Sequence, residues 1–153
     1  MQETITLKGR LKVDVFKDGV WTEGEWRDNV VTTVGKNGLA SLLNSASAGT
    51  TWVTHMGFGS GTTAPAAADT ALTTELSGNG YARVAVTRSN PSGNVIQYQA
   101  TLTNLTASTT IQEAGLFDAS TAGNLRAHQL TGAQTIGAST SDALQITWQV
   151  TFS

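Results

Sequence analysis

The chain reads as an all-β protein, an antiparallel, jelly-roll-like β-sandwich of about eight strands with one short helix and an N-terminal arm. Three observations predict it. Apolar and polar residues alternate over long runs, turn-forming pairs separate those runs, and a single stretch repeats its leucines at helical spacing. The reading divides the chain into an arm, 1–10, and a sandwich domain, 11–153.

Taken in order, Glu3 to Lys8 alternates Thr4 and Thr6 with Ile5 and Leu7, a pattern that can add as an edge strand to another chain. Leu11, Val13 and Val15 then share one face, and Asp18-Gly19 is a hairpin turn. Trp21 to Thr33 is the next strand candidate. In "GKNGLASLLNSAS" Leu39, Leu42 and Leu43 recur at i, i+3 and i+4, which predicts a helix beginning near Asn37-Gly38. Trp52 to Phe58 is a strand, and "DTALTTEL" is read as one helical turn with Asp69 as N-cap and Ala71, Leu72 and Leu76 inward.

Asn79-Gly80 precedes a strand from Tyr81 to Arg88, and Asn90 to Asn94 forms a turn. Beyond it Ile96, Tyr98, Ala100 and Leu102 alternate with Gln97, Gln99, Thr101 and Thr103. Ile111 to Phe117 and Leu125 to Leu130 flank an Ala122-Gly123-Asn124 turn. The last strand is the clearest, with Leu144, Ile146, Trp148, Val150 and Phe152 on one face and Gln145, Thr147, Gln149 and Thr151 on the other.

Composition narrows the function. Charged residues are 13% of the chain and the net charge is -2, so no broad basic field exists to neutralise phosphates and no nucleic-acid partner is expected. With no cysteine, neither disulfides nor thiolate metal sites are available, and folding in the cytosol is expected. "MQETITLKGR" lacks the basic start and apolar core of a signal peptide, and no window reaches the ~18 apolar residues of a membrane span, so no membrane partner is expected.

The stretch "MGFGSGTTAPAAADTALTTEL" raises the question of phosphate binding. A P-loop needs Lys and Ser or Thr after its last glycine, but Gly61 is followed by Thr62-Thr63-Ala64-Pro65. Gly57, Gly59 and Gly61 also lack dinucleotide-fingerprint spacing. The glycines are therefore read as allowing a strand end to bend and another backbone to come close. The Thr62 to Asp69 loop that follows is either a connection or a contact surface.

No catalytic constellation emerges, and no cofactor or metal is expected. His55 and His128 lie in strands without acidic residues at metal-site spacing and are read as structural or solvent-facing. Ser60 lacks the G-x-S-x-G context of a nucleophile elbow. Glu113 is placed on a wet face or in a pair with Arg83, Arg88 or Arg126. Trp21 and Trp26 flank "TEGE" near Asp28 and Asn29, where they are interface anchors, a cap on the sandwich or an aromatic plate for a sugar.

Three segments together, "GFGSGTTAPAAADTALTTEL", "IQEAGLFDASTAGNLRAHQL" and "LQITWQVTF", resemble a family of tailed-phage virion proteins, from about Val30 to the C-terminus. Its members are similar to jelly-roll capsid decoration (cement) proteins and to small tail or fibre proteins. For a decoration protein the resemblance implies a non-enzymatic homotrimer on the outer surface of the capsid, bound to the major capsid protein and clamping the shell against DNA pressure. The interface expected is Ile5 and Leu7 in the arm, Trp21 and Trp26, and Thr62, Thr63 and Pro65 in the loop. The alternative is a tail-fibre or receptor-binding module contacting host glycan.

Overall fold

The alternating runs pair with one another, and each buries one face. In the computed structural model, which describes residues 4–43 and 51–153, the strands are β1 (Leu7–Lys17), β2 (Val20–Thr22), β3 (Arg27–Val31), β4 (His55–Gly59), β5 (Val84–Ala85), β6 (Thr87–Ser92), β7 (Val95–Leu102), β8 (Thr109–Phe117), β9 (Leu125–Ile136) and β10 (Ala143–Phe152). One helix, α1 (Thr33–Leu43), lies between β3 and β4.

Every strand pairing is antiparallel, in the order β5-β4-β8-β9-β3-β1-β10-β7-β6, with β2 hydrogen-bonded to β1. Strand β3 joins the two halves of the sandwich. Its first residues pair with β1, Asn29 opposite Gly9, and its last pair with β9, Val30 opposite His128. The all-β sandwich expected from the alternation is what the chain forms.

Between the layers, Leu11, Tyr98, Leu102, Ile146 and Trp148 from one half meet Met56, Phe58, Ile111, Leu116 and Ala127 from the other. Each is nearly or fully excluded from solvent, and a large apolar side chain buried this way stabilises the fold by about 1.5–3 kcal/mol. A second, smaller cluster of Leu72, Phe117 and Leu125 lies apart from the first. It marks where residues of the long loop cover the outer face of β8 and β9.

Several boundaries differ from the sequence reading, each for a local reason. The expected arm boundary falls inside β1: Leu7 to Arg10 pair with Phe152 to Gln149, and Ser153 N donates to Thr6 O at 2.9 Å. Residues 1–3 of that arm lie outside the described residues, and the alternation from Thr6 to Arg10 finds its partner in the same chain. Trp21 to Thr33 divides into β2 and β3, and Tyr81 to Arg88 yields the two-residue β5 and the start of β6, giving ten strands among the described residues where about eight were expected. Pro91 and Ser92 belong to β6, where a bulge between Ser89 and Ser92 absorbs the proline.

The helix begins four residues before Asn37, because Thr32 caps it: its hydroxyl accepts from the Gly35 amide at 2.9 Å. Of the helical stretch expected, residues 44–47 lie outside the described residues. "DTALTTEL" forms no helix. Leu72 is buried and Leu76 packs on the core, but Ala71 is exposed, and Glu75 instead bridges to Gly59. The expected turns at Asp18-Gly19, Asn79-Gly80 and Ala122-Gly123 carry pairs of positive φ angles.

Candidate functional site

Strand β8 carries one carboxylate, Glu113, at the head of a fully buried run that continues through Ala114, Gly115, Leu116 and Phe117. Glu113 is fully buried, not on a wet face, and pairs with none of the arginines expected. Its Oε1 accepts from the amides of Gly61 at 3.1 Å and Thr74 at 2.7 Å, and its Oε2 from Thr73 at 3.0 Å. Burying a carboxylate is costly unless such donors replace water, and here three backbone amides of the long loop do so.

The imidazole of His128, on the adjacent β9, completes the arrangement. Nε2 lies 2.9 Å from Glu113 Oε2 and Nδ1 lies 2.8 Å from Asp69 Oδ2, with His128 only 1% exposed. Both contacts are hydrogen bonds when each ring nitrogen carries a proton. Burial alone would raise the Asp69 carboxyl, but the Ala66 amide and His128 outweigh it and hold that group below its ordinary value. The loop is thus tied at Gly61, Asp69, Thr73 and Thr74 to two adjacent strands.

The glycines of "GFGSG" make this possible. A Cβ on Gly59 would lie 2.4 Å from Glu113 Oε1 and 2.7 Å from Thr74 O, and one on Gly61 would lie 2.5 Å from Glu113 Oε1. The stretch does bind an anion, but the anion is the chain's own side chain.

Two arginines gather around the turn between β8 and β9. The Arg83 guanidinium lies 3.4 Å from the centre of the Phe117 ring, pairs with Glu75, and donates to Ala119 O at 3.0 Å and to Ala122 O. Arg126 donates to Val34 O at 3.0 Å, Trp52 O at 3.2 Å and Asp118 Oδ2 at 2.7 Å, joining α1, the segment before β4 and the turn after β8. Burial would raise Asp118, but Asn124 and Arg126 hold it low. These polar groups are partnered within the chain, and what they do chemically is hold a loop and a hairpin in place.

The exposed apolar side chains lie elsewhere. Trp21 on β2 is 49% exposed and packs on Phe16 with ring centres 5.3 Å apart; Trp26, 38% exposed, lies between β2 and β3 with the Arg10 guanidinium 4.3 Å above its ring. A cleft of about 450 Å³ is lined by Asp14, Trp21, Glu23 and Gln145. Ile5 is 78% exposed, whereas Leu7 is partly buried against the core. Thr62 and Thr63 are exposed and Pro65 is half-buried, at the start of the long loop.

The sequence-predicted residues therefore form three separate groups, the two Trp residues, Ile5 with Leu7, and the loop start. His55 is half-buried, with Nδ1 2.9 Å from Thr54 Oγ1, and stands apart from His128. The clasp around Glu113 was not foreseen. One signal for it is present: glycine at every second position, 57, 59 and 61, strips one face of a strand, and a stripped face is one on which other chain atoms rest.

The clasp residues lie inside the span of a family match. Residues 31–149 match the family model described as Podophage GP4 fiber I protein gp80. That span holds the loop, β8, β9 and the first part of β10, while β1, β2 and both exposed Trp residues precede it. No curated protein and no solved structure matches the chain.

Proposed function

Because the chain belongs to the podophage GP4 fiber I protein gp80 family, we propose that it is a structural component of a phage tail fibre. The match over residues 31–149 carries this reading, and it favours the fibre alternative over capsid decoration. The physics is compatible with it. A fibre module must hold its shape while presenting surface, and the clasp fixes the longest loop to the sandwich through buried charge-assisted hydrogen bonds.

Function then lies in surface rather than in a catalytic centre, with Trp21, Trp26 and the Thr62 to Pro65 segment as the parts offered to partners. Immunogold electron microscopy of the source virion tests the assignment. Gold confined to the tail is expected; gold spread over the head would return the protein to the capsid.

A further inference from the structure

The outer face of the sheet formed by β1, β10 and β7 carries an ordered array of amides and hydroxyls. Gln99 Nε2 donates to Gln145 Oε1 at 3.2 Å and to Thr147 Oγ1 at 3.1 Å, and Gln145 Nε2 donates to Thr101 Oγ1 at 2.9 Å. One row along, Gln149 Nε2 donates to Gln97 Oε1 at 2.9 Å, and Arg10 donates to Gln149 Oε1 at 2.8 Å. The strand register sets these side chains opposite one another, Arg10 against Gln149 and Gln149 against Gln97.

Both exposed tryptophans border this array. Trp26 lies against Arg10, the end of one row, and Trp21 lines the cleft with Gln145, the end of the other. We propose that this face is a saccharide-binding surface, with Trp21 and Trp26 as stacking plates and the glutamine rows as the hydroxyl-reading groups. The inference rests on the fibre reading for its biological setting, but its chemistry is independent of it.

Three features favour a saccharide over a protein. Sugar hydroxyls both donate and accept, and so do amides; each Gln carries two donors and two lone pairs, of which the ladder uses only part. The amides are already held by one another, so ordering them on binding costs little. The centre of the face is glutamine and threonine rather than the apolar core of a protein interface. Arg10 and Lys12 stand among Asp14 and Glu23, a mixed charge that suits a neutral or N-acetylated saccharide rather than a polyanion.

The test uses the full chain, fluorescently labelled, on an array of purified bacterial surface polysaccharides with neutral, N-acetylated and anionic members. Binding to a neutral or N-acetylated member is expected, weakened about tenfold or more by Trp21→Ala and by Trp26→Ala. Gln97→Ala should weaken it too, Trp21→Tyr should keep most of it, and Ile5→Asp should leave it unchanged. Circular dichroism checks that each variant is folded.

Absence of binding to every member, binding to anionic members alone, or binding indifferent to both tryptophans would overturn the proposal. So would self-association without saccharide that Trp21→Ala abolishes, since the face would then be a contact between copies. Gold on the head in the virion labelling would defeat the fibre reading and leave this measurement standing.

Discussion

Glu113 Oε2 and His128 Nε2 lie 2.9 Å apart on adjacent strands, both shut off from solvent, and the long loop after β4 hangs from this pair. The carboxylate draws three loop amides and the imidazole reaches Asp69, so breaking the pair should free the loop before it disturbs the sandwich.

Replacing Glu113 by Gln keeps the shape but puts an NH2 where one oxygen accepts. That oxygen serves either Gly61 and Thr74 or Thr73 and His128, so donors are left facing a donor. A loss of about 3 kcal/mol is expected from urea unfolding, within the range for breaking a buried charged group's partners.

The glycines give a sharper contrast. Gly59→Ala would place a methyl 2.4 Å from the Glu113 carboxylate and 2.7 Å from the Thr74 carbonyl. A cost of about 1–3 kcal/mol is expected for such overpacking. Gly93→Ala, whose added carbon meets nothing within 4 Å, should stay within about 0.5 kcal/mol of the parent. Thermal melts of the two variants side by side make the comparison.

Acid should act through Asp69 and Asp118. Both folded carboxyls lie below the ordinary value of 3.8, so the unfolded chain binds protons first as pH falls. Their stabilisation is complete above that ordinary value and is lost as pH drops through the lower folded values. Urea midpoints recorded between about pH 5 and about pH 2.5 should fall with acid, and the fall should be shallower in Asp69→Asn and in Asp118→Asn.

The first residues separate two roles that alternation alone does not. Ile5 is 78% exposed and should tolerate Asp within about 0.5 kcal/mol. Leu7 packs on the core opposite Phe152, and Leu7→Asp should cost about 2 kcal/mol or more in the same unfolding assay. Equal effects would place the two residues in the same environment.

The sandwich was legible because polar residues alternate with core residues along the long strands, as Gln145 and Gln149, half-buried between fully buried neighbours, show on β10. Glu113 was not, because β8 is buried on both sides from that residue to Phe117, and alternation cannot reveal a face covered by a loop from elsewhere in the chain. His128 was unreadable for the same reason: its partners lie 59 and 15 residues away. The loop's own helix-like pattern lost to its contacts, since Asp69 serves the Ala66 amide and His128 rather than capping a turn. Trp21 and Trp26 stood out because no alternation absorbed them, and the structure leaves both exposed.

Native-state hydrogen exchange at the amides of Gly61, Thr73 and Thr74 tests the clasp most directly. In the parent these protons should be protected, and in Glu113→Gln they should exchange about a hundredfold faster or more, while Ile146 and Trp148 stay protected. Exchange at unprotected rates in the parent chain would contradict the account, because the loop would then be held by nothing that Glu113 supplies.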